Sequence, residues 1–211
     1  MMQCPLCLDT YLNEYETIAD IVYLQCANCK SVFKHFEHYP ALEAEKKRYL
    51  LHDNDITSEG YQAFVKPIVK RILKSRPNTS LGLDFGAGTG PVITEMLKSD
   101  GYNISLYDPF FYPEKEVLET TYDFIICCEV IEHFHSPNNE FGLLRKLLNP
   151  GGSLLCMTHL LPKRNGFRSW YYKNDPTHVI FYSEDSIQWI KANFNFSEVK
   201  IEDRLIVFET A

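Results

Sequence analysis

The chain has 211 residues, of which 45% are hydrophobic and 23% charged, and its formal net charge is −7 at pH 7. This length is sufficient for one α/β domain with a small additional block, and the composition is typical of a globular protein. The acidic balance argues against a protein that coats nucleic acid non-specifically, so we expect no DNA partner. No apolar run approaches the ~20 residues of a membrane span. The first ten residues lack the basic and apolar regions of a signal peptide.

The N-terminal block, residues 1–40, contains two cysteine pairs, CPLC at 4–7 and CANC at 26–29, separated by eighteen residues. This spacing predicts a structural zinc ribbon because each CxxC turn directs two thiolates towards one tetrahedral ion. A block of this size buries too little apolar surface to fold without such an ion. A redox dithiol is the competing interpretation, and the second pair disfavours it. The predicted zinc ligands are Cys4, Cys7, Cys26 and Cys29.

The other three cysteines, Cys127, Cys128 and Cys156, lie in apolar runs, where cysteine usually acts as a small buried hydrophobe. This distribution indicates a reducing compartment, and we predict a cytoplasmic location. Zinc ribbons often bind RNA, but this block has two lysines against five acidic residues. We therefore expect the ribbon to support the structure or to gate substrate access rather than to bind phosphates.

Residues 41–75 are predicted to form a helical linker or cap between the ribbon and the main domain, residues 76–211. The segment LHDNDITSEG at 51–60 is polar and predicts a loop. An apolar face with helical spacing follows from Tyr61 and consists of Phe64, Val65, Ile68, Val69, Ile72 and Leu73. A second face with Lys66, Lys70 and Lys74 either contacts an anionic substrate or is solvated surface.

The main domain alternates between apolar runs typical of strands and amphipathic segments typical of helices. Strands separated by helices predict a Rossmann-like α/β fold with a doubly wound, mostly parallel sheet. The last two runs predict a C-terminal antiparallel hairpin on that sheet. In chain order, the predicted elements are strand 81–86, helix 89–98, strands 103–108 and 122–128, helix 138–148, strand 153–158, helix 184–193 and the hairpin runs 195–201 and 205–209.

A glycine-rich turn, LGLDFGAGTGPV at 81–92, joins the first strand of this domain to its helix. Gly86, Gly88 and Gly90 permit positive φ angles and a close approach of a ligand to the backbone. Ligands of open α/β sheets bind at such strand ends. A dinucleotide fingerprint would have its third glycine where Pro91 stands, and a P-loop would have a lysine after the last glycine. Both of these nucleotide-binding motifs are therefore disfavoured.

The turn is preceded by Asp84, and a second acid, Asp108, ends the next strand. This pattern, D-x-G-x-G-x-G, closely resembles the first motif of the class I S-adenosylmethionine-dependent methyltransferases. Three further segments resemble later motifs of that family, namely YDFIICCEVIEHF, LLRKLLNPGGSLLCMT and SEDSIQWIKANFNFSEVKIEDRLIVFE. The sequence EVIEHF is most similar to the branch that includes the ubiquinone-biosynthesis O-methyltransferases. The resemblance covers most of residues 60–211 and implies S-adenosyl-L-methionine as the cofactor.

The same resemblance implies that backbone groups and Asp84 hold the amino-acid part of the cofactor and that Asp108 holds its ribose hydroxyls. The implied cofactor-binding residues are Asp84, Phe85, Gly86, Ala87, Gly88, Gly90, Asp108, Pro109, Phe110, Cys128, Glu129 and Val130.

One departure from the family is substantial. Only fourteen residues separate Asp108 from Asp123, so the usual third strand, its helix and the acidic loop that contacts adenine have no counterpart. Either the aromatic side chains of Phe110, Phe111 and Tyr112 stack on the adenine, or they cover the shortened sheet edge.

The sequence EVIEHF places Glu129, Glu132 and His133 directly after the fourth strand. In a helical turn these side chains would share one face, where they could hold a divalent metal that acidifies a substrate hydroxyl. A similar ExxEH has this role in the small-RNA 2′-O-methyltransferases, whereas many relatives carry it without a metal. Both interpretations stay open. His133 is also a candidate catalytic base, and His135 and His159 are further candidates at the same rim.

Residues 160–182 form a long connection, and long connections in compact domains are usually functional. Trp170, Tyr171 and Tyr172, followed by NDPTH, predict a lid over a substrate pocket. His178 is a candidate for a substrate contact or a catalytic general base.

Together these features predict an enzyme that transfers a methyl group from S-adenosylmethionine to a small-molecule or RNA acceptor. His133 or His178 would remove a proton from an acceptor that has one. Three alternatives remain: a nicotinamide enzyme, a zinc-ribbon RNA-binding module with a non-catalytic methyltransferase fold, and a cofactor-binding partner subunit without catalysis.

Overall fold

The computed structural model describes residues 2–51 and 55–211. In chain order the strands are β1 (Leu12–Ile18), β2 (Ile21–Cys26), β3 (Val32–Lys34), β4 (Leu81–Phe85), β5 (Asn103–Tyr107), β6 (Tyr122–Cys128), β7 (Leu148–Met157), β8 (Ile180–Phe181), β9 (Glu198–Glu202) and β10 (Leu205–Glu209). The helices are α1 (Leu42–Tyr49), α2 (Glu59–Ser75), α3 (Val92–Ser99), α4 (Pro137–Lys146), α5 (Arg164–Phe167) and α6 (Glu184–Asn193).

The larger sheet has six strands in the order β5-β4-β6-β7-β10-β9. The first four strands are parallel to one another, whereas β10 pairs antiparallel with both β7 and β9. This is the Rossmann-like, mostly parallel sheet with a C-terminal antiparallel hairpin that the alternation of strands and helices predicts, so the predicted fold class is confirmed.

Helices cover both faces of this sheet because successive side chains of a strand point to opposite sides. Phe124 and Ile126 pack in one apolar cluster with Ile68 and Leu97 of helices α2 and α3. The intervening Ile125 packs in a second cluster with residues of helices α4 and α6, which include Phe141, Leu144, Ile187 and Ile190. Strand β6 is therefore buried on both faces, which explains its almost continuous apolar sequence.

The resemblance implies a further helix and strand between β5 and β6 in chain order, and the described sheet has no such strand. Residues 109–121 lie within the described chain and form a tight turn and a short 3₁₀-helix, Lys115–Glu119, instead of a helix and a strand. Strand β5 is consequently the edge of the sheet. The shortened connection predicted between Asp108 and Asp123 is confirmed.

The smaller sheet has the antiparallel order β1-β2-β3-β8 and joins the cysteine block to the rest of the chain. Val32 pairs with Phe181 and Phe33 with Ile180. Leu6 and Phe33 also belong to the same apolar cluster as the main sheet. The domain boundaries predicted at 40 and 75 stay predictions, but the cysteine block shares its sheet with strand β8.

Most element types agree with the prediction, while several bounds differ. Helix α3 begins at Val92 instead of near 89, because the glycine turn continues to Pro91. Strand β7 begins at Leu148, five residues before the predicted 153. The loop predicted at 51–60 includes residues 52–54, which lie outside the described residues, and its last two residues belong to helix α2. In the two described ranges, no helix combines the length and apolarity of a membrane span.

Candidate active site

A cavity of about 1210 Å³ opens at the carboxyl ends of β4, β5 and β6. Strands β5 and β6 lie on opposite sides of β4, so this is the position where the winding of the sheet reverses and where ligands of such folds bind. All twelve residues that the resemblance implies for cofactor binding line this cavity, as do His133, His135, His159 and His178. Their roles remain predictions, but one cavity brings them together.

The glycine turn places backbone, not side chains, at the cavity wall. Gly86 and Gly88 have φ angles of 81° and 62°, which glycine adopts at little cost. The backbone N–H of Gly86 donates to the Tyr107 carbonyl over 2.8 Å, which ties the turn to the end of β5. A Cβ atom on Gly86 would lie 2.5 Å from Cγ2 of Val130. Glycine is required there for two independent reasons.

Asp84 lies beneath this turn and is buried. Its carboxylate accepts a hydrogen bond of 2.7 Å from the hydroxyl of Thr94 on helix α3. Burial raises the pKa of Asp84 to about 6, although the Thr94 hydrogen bond opposes the shift. Asp84 therefore lines the cavity and is also hydrogen-bonded to helix α3.

Asp108 connects the two loops that surround its side of the cavity. One carboxylate oxygen accepts from the Gly88 N–H at 3.0 Å, and the other accepts from Phe110 N–H at 2.8 Å and Phe111 N–H at 3.1 Å. A carboxylate offers about four acceptor positions, so three are already in use. A ligand that donates two hydroxyls to Asp108 has to displace one of these backbone donors or share an acceptor position with it.

The aromatic residues after Asp108 divide into two groups. Phe110 and Phe111 line the cavity, and the ring of Phe110 lies 5.8 Å from that of Tyr49 on helix α1. Tyr112 is not among the described lining residues, and its backbone pairs with that of Asp108 to close the turn. Stacking on adenine stays a prediction, and it now concerns Phe110 and Phe111.

The segment after β6 differs from the predicted helical turn. Residues Ile131–His133 form a 3₁₀-helix, and Glu129 precedes it with a φ angle of 53°. The helical turn expected from EVIEHF therefore does not include Glu129, and the metal site predicted at Glu129, Glu132 and His133 stays a prediction. The group whose ligand atoms lie within 4.8 Å of one another is instead Glu132, His133 and His178.

Glu129 and Glu132 approach each other through the hydroxyl of Tyr172. This oxygen lies 2.9 Å from Oε2 of Glu129 and also contacts Oε1 of Glu132, and it is 3.1 Å from the hydroxyl of Thr158. One hydroxyl proton cannot serve both carboxylates at once. Burial raises the pKa of both carboxyl groups, and the charge of Glu129 further raises the pKa of Glu132. The pair therefore favours retention of a proton.

Two buried carboxylate oxygens next to this phenol have no hydrogen-bond partner among the described residues. They are Oε1 of Glu129 and Oε2 of Glu132. Buried oxygen atoms of this kind are uncommon in proteins and are usually satisfied by a ligand, an ion or water. The donor set around Glu132 thus fits a cation.

Backbone carbonyls orient both imidazoles. Nδ1 of His133 lies 3.0 Å from the Thr177 carbonyl, and Nδ1 of His178 lies 2.7 Å from the Tyr172 carbonyl. A carbonyl only accepts, so each Nδ1 carries a proton and each neutral ring has its lone pair on Nε2. The two ring centroids are 4.6 Å apart. This tautomer is the one that a proton acceptor or a metal ligand at Nε2 requires.

The other two candidate histidines lie further along the rim. Nε2 of His135 is 3.0 Å from Oε1 of the buried Glu45. Nε2 of His159 is 2.9 Å from the Tyr171 hydroxyl. Burial and the nearby charge of Arg204 lower the pKa of His159, which favours its neutral form.

Two of the three aromatic residues of the predicted lid line the cavity, and the lid itself stays a prediction. Tyr171 and Tyr172 line the cavity, whereas Trp170 packs away from it against Phe167 and Phe181. Asp175 lies in the same segment, and its carboxylate accepts from the Thr177 hydroxyl and pairs with Arg48. These interactions outweigh the effect of burial and lower the pKa of Asp175.

Helix α1 is the part of the site that the sequence did not indicate. Its residues Leu42, Glu45, Arg48 and Tyr49 line the cavity. The helix is amphipathic only weakly, and its contacts with Asp175 and His135 join positions far apart in the chain. No local pattern carries that information.

The four N-terminal cysteines converge as predicted. Sγ of Cys4 lies 3.5 Å from that of Cys29, Sγ of Cys7 lies 3.3 Å from that of Cys26, and all four atoms lie within 4.8 Å of one another. None of them forms a disulfide within the described chain. Four thiols in this arrangement fit tetrahedral Zn²⁺.

Comparisons with known proteins agree with this geometry. The tRNA (carboxymethyluridine(34)-5-O)-methyltransferase of Saccharomyces cerevisiae is 28% identical over 154 residues, which are 61% of this chain and 54% of that protein. The chain thus spans about half the length of this curated relative.

Two solved structures share the fold. Human N-acetylserotonin methyltransferase in complex with SAM has a TM-score of 0.55 at 14% identity, over 82% of this chain and 60% of that one. The second is a Burkholderia thailandensis 1,6-didemethyltoxoflavin-N1-methyltransferase with bound 1,6-didemethyltoxoflavin and S-adenosylhomocysteine. It has a TM-score of 0.54 at 15% identity, over 89% of this chain and 98% of that one.

A family model for a methyltransferase domain matches residues 58–201, which begin at the start of helix α2 and end in strand β9. This range contains every strand of the main sheet up to the final hairpin, together with the glycine turn, Asp108 and the Glu132–His133–His178 group. The chain belongs to the methyltransferase domain family.

Proposed function

We propose that this protein transfers a methyl group from S-adenosylmethionine to a small-molecule or RNA acceptor. The observation that carries the proposal is the single cavity that joins the glycine turn and Asp108 to the Tyr172 and histidine cluster. Its volume of about 1210 Å³ exceeds the ~300–1,000 Å³ of ordinary ligand pockets, which suits a cofactor and an acceptor side by side.

The cofactor side consists of the turn from Asp84 to Gly90, the loop from Asp108 to Phe110 and the residues from Cys128 to Val130. Bound S-adenosylmethionine supplies an electrophilic methyl group, so the protein has mainly to align the acceptor and to exclude water. The backbone of Gly86 and Gly88, which lines the cavity, suits a ligand with an amino-acid end, and Asp108 and Phe110 suit a ribose and a base.

The acceptor side consists of the histidine pair and Tyr171. Helix α1 borders both sides, because the ring of its Tyr49 lies 5.8 Å from that of Phe110 and 5.3 Å from that of His133. Nε2 of His133 or of His178 is the proposed proton acceptor, because the carbonyls of Thr177 and Tyr172 hold the opposite nitrogen as a donor. The yeast relative acts on a modified uridine of tRNA and the two structural neighbours are named for small molecules. The narrower placement in the ubiquinone O-methyltransferase branch rests on the EVIEHF motif.

As the alternative to a histidine base, we propose a divalent metal at Glu132, His133 and His178, two of which belong to the group predicted from EVIEHF; Nε2 of each histidine would then bind the metal instead of a proton. The unpartnered oxygen of Glu132 and the two carbonyl-oriented imidazoles support this site. Such a metal would acidify an acceptor hydroxyl. The four cysteines are proposed to hold a structural Zn²⁺, and the chain is proposed to act in the cytoplasm.

Calorimetric titration with S-adenosylhomocysteine tests the cofactor assignment. We expect Asp108→Ala and Asp84→Ala to weaken binding by at least about tenfold, which corresponds to 1.4 kcal/mol. Asp100→Ala, an exposed acid at the end of helix α3, is the matched control and should bind as the unmodified protein does. Unchanged affinity for S-adenosylhomocysteine in both Asp84→Ala and Asp108→Ala would contradict the cofactor assignment. Binding without methyl transfer to any sugar, aromatic or RNA acceptor would favour the non-catalytic partner subunit, and RNA binding without cofactor binding would favour the RNA-binding module.

A further inference from the structure

Lys34, the last residue of strand β3, connects the cysteine block to the segment that carries His178. The residue is only 2% exposed, and Nζ donates to the carbonyls of Asp175 and Pro176 over 3.1 and 3.0 Å. The backbone N–H of Lys34 donates to the Val179 carbonyl over 2.9 Å. A single residue of the cysteine block therefore holds the chain on both sides of His178.

A buried ammonium group is costly, so its retention needs compensation. Burial lowers the pKa of Lys34 to about 8, and the negative charge of Asp175 opposes that shift. The two carbonyls satisfy two of the three ammonium donors. Loss of the ammonium group would leave both carbonyls without this donor and would loosen the segment from Asp175 to Val179.

This segment sets the positions of both imidazoles. The N–H of His178 donates to the Asp175 carbonyl over 3.2 Å, the same oxygen that Lys34 contacts. The Thr177 carbonyl accepts from Nδ1 of His133, and the Val179 N–H donates to the Glu132 carbonyl over 2.9 Å. A shift of this segment would therefore change the separation of His133 and His178.

Both cysteine pairs are adjacent to residues that contact the elements carrying the two histidines. Ser31 lies two residues after Cys29, its hydroxyl is 3.1 Å from Sγ of Cys29, and strand β3 begins at the next residue, Val32. The first pair encloses Leu6, whose carbonyl accepts from Nδ2 of Asn138 over 2.8 Å. Asn138 lies in the first turn of helix α4, five residues after His133. One pair thus contacts the start of the helix that follows His133, and the other precedes the strand whose Lys34 holds the His178 segment.

We infer that Lys34 is a positioning residue through which the four-cysteine block sets the geometry of the two histidines, while the cofactor turn folds independently of it. The inference rests on the proposed function for its catalytic meaning. Its structural part, the link between Lys34 and the His178 segment, is measurable without a known acceptor.

The test compares Lys34→Met, Lys34→Arg and the exposed control Lys146→Met. Backbone hydrogen exchange and long-range ¹H–¹⁵N spectra of the histidine rings are measured, together with zinc content and S-adenosylhomocysteine affinity. In Lys34→Met we expect the backbone amides of His178 and Val179 to exchange on the order of tenfold faster than in the unmodified protein. The signal that marks a proton on Nδ1 of His178 should also be lost. Zinc content should be unchanged and cofactor-product affinity should stay within about twofold of the unmodified protein. Lys34→Arg should restore the slow exchange, and Lys146→Met should change neither signal.

Unchanged exchange and an unchanged His178 signature in Lys34→Met would overturn the inference. If Lys34→Met does not fold, removal of zinc from the unmodified protein with a chelator gives the second test. Exchange should then rise at 175–179 before it rises at 84–90, and a simultaneous rise would contradict the inference. Failure of the unmodified protein to bind S-adenosylhomocysteine would contradict the proposed function and would leave the link to the His178 segment intact.

Discussion

The Arg48 guanidinium lies 2.7 Å from the Asp175 carboxylate, so helix α1 is attached to the segment that carries His178. The two residues are 127 positions apart, and the arginine side chain is about one third exposed. Ion pairs with this exposure contribute little to global stability, typically about 0–1 kcal/mol. Their importance here is positional, because α1 forms a wall of the cavity.

Replacement of this arginine should therefore affect the ligand more than the fold. We expect Arg48→Ala to lower the free energy of unfolding by under about 1 kcal/mol but to weaken S-adenosylhomocysteine binding several-fold. Lys47→Ala, on the exposed side of the same helix, is the matched control. Calorimetry and urea unfolding measure the two effects. A stability loss without an affinity loss would contradict the assigned role of α1.

Asp84→Asn should stabilise the protein in a pH-dependent way. The pKa of Asp84 is raised to about 6 in the folded protein, above its ordinary value near 4, so ionisation of this acid opposes folding. That cost is complete above pH 6 and disappears as the pH falls to about 4. We expect the free energy of unfolding of Asp84→Asn to exceed that of the unmodified protein by about 3 kcal/mol at pH 7.5, with the difference shrinking towards pH 4. Urea unfolding at pH 7.5 and at pH 4 measures this difference, with Asp100→Asn as the control. An equal difference in unfolding free energy at the two pH values would contradict the prediction.

Gly86→Ala should destabilise the fold more than Gly151→Ala. Both glycines have positive φ angles, but an added Cβ at Gly86 meets Val130 whereas one at Gly151 meets nothing within 4 Å. We expect a cost of about 1 kcal/mol at Gly151 and of about 3 kcal/mol at Gly86. Val130→Ala should relieve part of the cost of Gly86→Ala and none of the cost of Gly151→Ala. Additive effects in the Gly86–Val130 double-mutant cycle would show that the close approach is unimportant.

Tyr172→Phe removes the hydroxyl that lies between Glu129 and Glu132. That hydroxyl stabilises the ionised acids, so its loss should raise the pKa of both groups and cost about 1–3 kcal/mol. Because the lost interaction involves the ionised form, the cost should grow as the pH rises from about 5 to 8. Tyr171→Phe at the exposed rim is the matched control and should cost little. Thermal unfolding across this pH range measures both, and a cost that is independent of pH would contradict the assignment.

Cys26→Ser should abolish the binding of one zinc ion per chain. The variant should also lose several kcal/mol of stability, because the metal contributes directly to folding of such blocks. Cys156→Ser, in strand β7, serves as control and should retain the metal despite a cost in the core. Elemental analysis of the purified variants decides the matter. Equal zinc content in both would exclude the four-cysteine site.

Local patterns predict the parts of this molecule that depend on neighbouring residues. The glycine turn, the acids at 84 and 108 and the CxxC pairs are each contained in a short segment, so their geometry follows from it. The Tyr172 contact with Glu132 joins residues 40 positions apart, and the Lys34 contact with Asp175 joins residues 141 apart. The left-handed conformation of Glu129, which separates it from His133, also has no sequence signal because glycine is absent there.

The pairing of Val32 with Phe181 has a consequence for synthesis of the chain. These residues are 149 positions apart, so the smaller sheet gains its fourth strand only when most of the protein has left the ribosome. Until then β3 is a strand with one open side, next to cysteines that are already available to a metal. Zinc captured at that stage would hold the nascent N-terminal block in a folded form until β8 arrives to complete its sheet.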